Sequence, residues 1–255
     1  MSSSFITIGK REIGAGRPCF VIAEAGINHN GDVKIAAELV EAAAAAGADA
    51  IKFQTHLPEH EMLKGGATAA YVGESLFDLL SRTALSPEGH VAMRDLAKRK
   101  GIIFMSTPFS REAADYLDGI GVPAFKTGSG ELTNIPLQRH IARKGKPMIV
   151  STGMSTPEEI DATVKALRDE RANFALMHCT STYPTPFEHV QLGCISAKLA
   201  CSLRSAWTVA SISSGVDMPV ETIIGLPLRA MCRCRGMFVI SPEPVLNAGT
   251  PIESR

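Results

Sequence analysis

Along the first 200 residues, short apolar runs rich in β-branched residues alternate with stretches whose apolar positions recur every three or four residues. The runs lie at 19–23, 50–53, 102–105, 124–126, 148–150 and 175–178. Their continuous apolar character predicts strands buried on both faces, as in a parallel sheet. The stretches between them predict helices at 33–46, at 74–82 and 87–100 as a two-part connection, and at 111–119, 134–144 and 157–168. Gly47 and Gly101 stop two of these patterns. Thr156-Pro157-Glu158-Glu159 predicts a helix start: a threonine cap, a proline in the first turn, then acids.

Strand followed by helix, repeated along the chain, predicts an α/β fold with a parallel sheet. The sheet is either open and doubly wound or closed into a (β/α)8 TIM barrel. No G-x-G-x-x-G follows the first run, so the dinucleotide-binding version loses its main cue. The residues just past the runs favour the barrel. They read Glu24-Ala25-Gly26, Gln54-Thr55, Ser106-Thr107-Pro108, Thr127-Gly128-Ser129-Gly130-Glu131, Ser151-Thr152-Gly153 and Cys179-Thr180-Ser181. Polar or small residues thus end every strand. A barrel gathers all its strand ends around one mouth, whereas an open sheet concentrates function near one switch point.

Composition narrows the function. The 255 residues carry 26 Lys plus Arg and 26 Asp plus Glu. A net charge of zero argues against a nucleic-acid coat or a polybasic membrane binder, though not against a local anion pocket. No apolar run reaches the roughly 18 residues of a membrane helix, and residues 1–17 hold no signal-peptide core. The six cysteines show no C-x-x-C spacing. A reduced, cytoplasmic setting is expected, without a disulfide scaffold.

Three kinds of strand-end residue carry candidate chemistry. Glu24, at the end of a buried strand, suits an acid, a base or a substrate-orienting group, or a structural acid bonded to a loop. Lys52 and Lys126 lie within strand patterns, where a lysine lines a cavity or snorkels outward. Two lysines at one mouth suit a phosphate or carboxylate. Ser106, Thr107, Ser129, Ser151 and Thr152 add hydroxyls, and Gly128-Ser129-Gly130 lets backbone N–H groups approach an anion. His178-Cys179 reads as a packed strand end, and no histidine or cysteine spacing predicts a metal site.

Six segments in order resemble the sialic acid synthase family, the N-acetylneuraminate synthases and their legionaminic and pseudaminic acid relatives. They are IAEAGINHNG at 22–31, GADAIKFQT at 47–55, FMSTPF at 104–109, KTGSGELTN at 126–134, STGMS at 151–155 and HCTSTYP at 178–184. The resemblance covers about residues 5–200. It implies a (β/α)8 barrel and a condensation of phosphoenolpyruvate with an N-acyl amino sugar such as N-acetylmannosamine. Phosphate is released and a nine-carbon 2-keto acid is formed. It further implies a divalent metal, Mn2+ or Mg2+, that polarises the sugar aldehyde. By the same resemblance Lys52, Thr107, Lys126, Ser129 and Ser151 hold phosphoenolpyruvate. Glu24 acts at the reacting centre, and Gln54, Glu131 and Tyr183 line the pocket and place the sugar.

The resemblance stops near Ala200. No histidine follows His189, whereas the family carries its metal-ligating histidines in G-x-S-D-H and E-K-H-F motifs on the last two strands. Neither of those strands is convincing in the pattern, so residues 1–255 are expected to form one barrel domain with an atypical end, 201–255. Codons that fit Trp207 to Ala210, shifted by one base, encode Gly-Leu-Ser. Those that fit Cys232 to Arg235 encode Val-Val-Val-Glu. Local frameshifts are therefore the expected cause, and the true bases of this region test it. The family's C-terminal antifreeze-like domain, through which it tends to dimerise, is expected to be absent. Two other readings stand beside the synthase. One is an inactive relative that at most binds phosphoenolpyruvate. The other is a metal-free Schiff-base aldolase using Lys52 or Lys126.

Overall fold

The computed structural model describes residues 5–14, 17–65 and 74–181, together with the backbone of 208–213 and 237–241. A hairpin comes first: Phe5–Ile8 (β1) and Arg11–Gly14 (β2) pair antiparallel across Gly9, whose φ of +59° suits glycine. Eight strands follow: Phe20–Gly26 (β3), Ala50–Thr55 (β4), Ile103–Pro108 (β5), Phe125–Thr127 (β6), Met148–Ser151 (β7), Phe174–Cys179 (β8), Thr208–Ser213 (β9) and Met237–Ser241 (β10). The helices are Val33–Ala45 (α1), Pro58–Glu61 (α2), Leu76–Thr83 (α3), Pro87–Arg99 (α4), Arg111–Gly119 (α5), Ile135–Ala142 (α6) and Pro157–Asp169 (α7). Most start on a side chain that accepts from a first-turn N–H: Asp32, Ser75, Ser86, Ser110, Asn134 and Thr156. Thr156 and Glu159 close the expected start as a reciprocal capping box.

The eight strands form one parallel sheet in the order β5-β4-β3-β10-β9-β8-β7-β6. Neighbours in sequence are neighbours in space, and the last strand, β10, lies against the first, β3. At the two ends of this order, β5 and β6 approach with Cα atoms within 8 Å, yet no ladder joins them among the described residues. β6 is three residues long and follows Pro123, which has no N–H to donate, so it has little backbone for a second ladder.

The pattern-based expectations differ from this architecture in three places. The β1–β2 hairpin and α2 were not foreseen. The strands continue past the apolar runs, β3 to Gly26, β4 to Thr55 and β5 to Pro108. The last two strands, expected to be unconvincing, are present as β9 and β10; the Cys232 to Arg235 segment lies outside the described residues.

Period-2 alternation divides the sheet into two faces. Ile51, Phe53, Phe104, Phe125, Val150 and Leu176 point to the helix side, against Ala36 and Val40 of α1, Ala97 of α4, Leu117 of α5, Ile141 of α6 and Leu167 of α7. The other face packs on itself through Phe20, Ile22, Ala50, Met105, Ala124, Ile149, Ala175 and Met177. Ile6, Ile8 and Ile13 of the hairpin join that second cluster and are almost fully buried. Arg11 pairs with Asp49 at 2.7 Å, and the other Asp49 oxygen accepts from the Val21 N–H, which fastens the hairpin to the start of β3. Burying the Ile8 side chain is thus part of sealing the N-terminal end of the sheet. Ile8→Ala is expected to cost about 3 kcal/mol by urea unfolding, from lost transfer energy and the cavity left behind.

Candidate functional site

Along the self-packed face, each strand changes character from one end to the other. β3 runs Phe20, Ile22, Glu24, β4 runs Ala50, Lys52, Gln54, and β5 runs Ile103, Met105, Thr107. β6 offers Lys126, β7 Ile149 then Ser151, and β8 Ala175, Met177, Cys179. The N-terminal layers are apolar, and the C-terminal layer is polar. The pairing register lines up Glu24 with Lys52 and Gln54 with Thr107. A polar layer at the C-terminal ends of parallel strands is where α/β proteins place their sites.

Two lysines organise this layer. Lys52 is 4% exposed and forms an ion pair with the Glu24 Oε2; its Nζ lies 3.4 Å from the Thr107 Oγ1. Lys126 is 6% exposed and donates to the Thr127 carbonyl at 2.9 Å and to the Ser151 hydroxyl at 2.5 Å. No carboxylate lies within ion-pair distance of Lys126 among the described residues. Burial, then the neighbouring charge of Lys52, lowers its pKa to about 8, with Cys179 and Glu24 pulling weakly the other way. The layer thus holds two buried amines against one carboxylate. Of that carboxylate, Oε1 is buried without a hydrogen-bond partner among the described residues. A buried excess of positive charge is costly, and an anionic ligand removes the cost.

The remaining candidates fall around this pair. Ser151 also meets the Cys179 thiol at 3.2 Å. Ser129 and Glu131 lie on the single 3-10 turn that follows β6, both half-buried, and the Glu131 Oε2 accepts from the Asn134 side chain at 3.0 Å. Gln54 points its Oε1 at the His56 ring, at 3.0 Å. Glu24, Lys52, Thr107, Lys126 and Ser151 are therefore brought into one cluster, with Gln54 beside it and Ser129 and Glu131 one turn away. Tyr183 lies outside the described residues. Cys179 joins the cluster although the sequence read it as a packed strand end. His56 and Glu61 were not foreseen at all; the pointer to them was Pro58, which starts a helical turn that folds residue 61 back over the strand end.

Gly153, just past β7, shows how tightly this end is packed. A Cβ there would sit 2.7 Å from both the Cβ and the carbonyl oxygen of Cys179, and 2.8 Å from the Ser181 hydroxyl. Gly153→Ala is expected to destabilise by about 2 kcal/mol and to weaken anion binding through displaced Ser151, by thermal melting and calorimetry.

Fold and site together define an α/β parallel-sheet protein with a basic, hydroxyl-lined cluster at the strand ends. The profile of the NeuB family matches residues 39–204, and the chain belongs to that family. It is 39% identical over 195 residues to the N,N'-diacetyllegionaminic acid synthase of Legionella pneumophila, covering 72% of this chain and 55% of that protein. The Campylobacter jejuni enzyme of the same name is 39% identical over 181 residues, covering 68% and 54%. The chain thus spans about half the length of these curated relatives. Among solved structures, the N-acetylneuraminic acid synthetase of Leptospira borgpetersenii, in complex with citrate, superposes with a TM-score of 0.77 at 27% identity, covering 93% of this chain and 77% of that one.

Proposed function

We propose that the chain belongs to an enzyme that condenses phosphoenolpyruvate with an N-acyl amino sugar, giving a nine-carbon 2-keto acid and phosphate. The observation that carries this reading is Lys126, a buried ammonium with hydroxyl and carbonyl partners and no carboxylate. Lys52, Lys126, Thr107 and Ser151 then hold the phosphate and carboxylate of phosphoenolpyruvate, with Ser129 on the adjoining turn. Glu24, fixed by Lys52 through one oxygen, offers the other to the reacting centre as acid or base. Gln54 and Glu131 face the acceptor sugar, with Tyr183. A closed (β/α)8 barrel completes this reading, supported by the pairing of β10 with β3 and by the approach of β5 to β6, the two ends of the strand order. One domain over 1–255, a cytoplasmic setting and a homodimer belong to the same proposal. Among the described residues no helix is long and apolar enough to cross a membrane.

The family implies a Mn2+ or Mg2+ ion. Among the described residues no three of His, Cys, Asp and Glu converge to hold one, and the two lysines beside Glu24 repel a dication there. The described residues do not fit the ion, so no step is assigned to it. Phosphate release from phosphoenolpyruvate with N-acetylmannosamine, measured with and without added Mn2+, tests the reading. Release that depends on the sugar supports it. Phosphoenolpyruvate binding without release assigns this chain to a binding-only relative instead.

The lowered pKa of Lys126 favours one second reading, a Schiff-base aldolase, because an amine that is partly neutral near pH 8 is a competent nucleophile. Borohydride trapping with pyruvate discriminates: no mass adduct on Lys52 or Lys126 removes this reading.

A further inference from the structure

We propose that His56 and Glu61 are positioning residues that hold the Gln54 amide with its NH2 group turned into the site. This rests on the reading that the site takes an acceptor sugar. Glu61 uses both carboxylate oxygens: Oε1 accepts from the Leu57 N–H at 2.5 Å, and Oε2 from the His56 Nδ1 at 2.8 Å. The two side chains are sealed, at 6% and 5% exposed. The opposite face of the arrangement is set by Phe109, whose ring stacks on the His56 ring at 4.2 Å and 15°. With Nδ1 and the ring plane fixed, Nε2 has a single direction left, and it meets the Gln54 Oε1 at 3.0 Å. Both partners are acceptors, so the ring donates from both nitrogens, as an imidazolium paired with the Glu61 carboxylate. The carbonyl of Gln54 is thereby occupied, and its NH2 is turned toward Gly26. The Gln54 Nε2 lies 3.8 Å, and the unpartnered Glu24 Oε1 3.6 Å, from the point where a Cβ on Gly26 would sit. Gly26 is glycine with a φ of +52°, at the irregularity in β3. A donor and an acceptor thus flank one space kept clear by a missing side chain. That pair is complementary to a hydroxyl group, which accepts from the amide and donates to the carboxylate. An amide rotated by half a turn would place two acceptors there and would reject the hydroxyl's oxygen. His56 and Glu61 therefore select which face of Gln54 the substrate meets, without touching the substrate.

The test uses the full chain and calorimetry with two probes, N-acetylmannosamine alone and phosphoenolpyruvate alone. His56→Phe keeps the stack on Phe109 and removes the hydrogen bonds. It is expected to weaken N-acetylmannosamine about tenfold and to leave phosphoenolpyruvate unchanged. In a Gln54→Ala background the same substitution is expected to change neither. Equal weakening in both backgrounds, or equal loss of both probes, overturns the proposal. If the wild-type chain binds no N-acetylmannosamine, the sugar reading fails, and the positioning claim is decided without ligand. The Gln54 side-chain 15N–1H resonances, assigned by their loss in Gln54→Ala, are expected to be rigid and well separated in the wild type and averaged in His56→Phe. Unchanged order and position in His56→Phe overturn it.

Discussion

Replacing Lys126 by Met is expected to make the ligand-free chain more stable and to remove phosphoenolpyruvate binding in the same step. In the folded protein this ammonium is buried beside Lys52 with hydroxyl and carbonyl partners alone, and its pKa falls from 10.5 to about 8. The lowered value is a statement about stability. Below pH 8 both folded and unfolded chains hold the proton, and the fold carries the whole burden, roughly 3 kcal/mol. Between pH 8 and 10.5 the unfolded chain still binds the proton while the folded one has released it. Stability therefore rises with pH across that window. Lys126→Met is expected to raise the urea midpoint at pH 7 and to flatten this rise. Binding of phosphoenolpyruvate is expected to fall by at least roughly 100-fold, since a buried charge-assisted contact is lost. An unchanged midpoint together with unchanged binding would sink the assignment of Lys126 to the anion site.

The second expected result has the opposite sign for stability. Glu24→Ala removes the one carboxylate paired with Lys52 and leaves two buried amines with none. Breaking a buried pair on one side costs about 3 kcal/mol here, at the lower end because the Glu24 side chain is 12% exposed. Turnover is expected to drop by roughly 100-fold to 10,000-fold if Glu24 moves a proton at the reacting centre. Urea unfolding and steady-state phosphate release read the two effects separately. The double variant Glu24→Ala, Lys52→Met is expected to recover most of the stability and none of the activity. If the double variant stayed as unstable as Glu24→Ala, the ion pair would not be the source of the loss.

The lysines were legible in the sequence because a charge inside an apolar run violates the pattern that makes the run a strand. The extent of the strands was not. Polar residues at 24, 54 and 107 lie just past the apolar runs and were read as strand-end candidates, but the runs do not show that the backbone ladder continues through them. Hydrogen bonding of the main chain is indifferent to side-chain polarity, so a polar layer at a strand end hides in a hydropathy pattern. The β1–β2 hairpin left a cue in the alternation of Phe5-Ile6-Thr7-Ile8 before Gly9, but four-residue strands are too short for a periodicity to stand out. His56 and Glu61 were illegible for a different reason. Their relation to Gln54 depends on a turn begun at Pro58 and on Phe109, which arrives from another strand end. Tyr183 lies outside the described residues, and the family's two histidine-bearing motifs are missing from the sequence itself, which has no histidine after His189.

The pairing of β3 with β10 also sets a clock on synthesis. Phe20 leaves the ribosome long before Met237, and at about 5–20 residues per second the gap is on the order of 10 to 40 seconds. Throughout it, one edge of β3 has β4 beside it and the other has nothing of this chain to pair with. An open strand edge is a template for any neighbouring nascent chain. The yield of folded protein is then governed by how well that edge is shielded during translation, by low temperature, slow expression or a chaperone, more than by the equilibrium stability of the finished sheet.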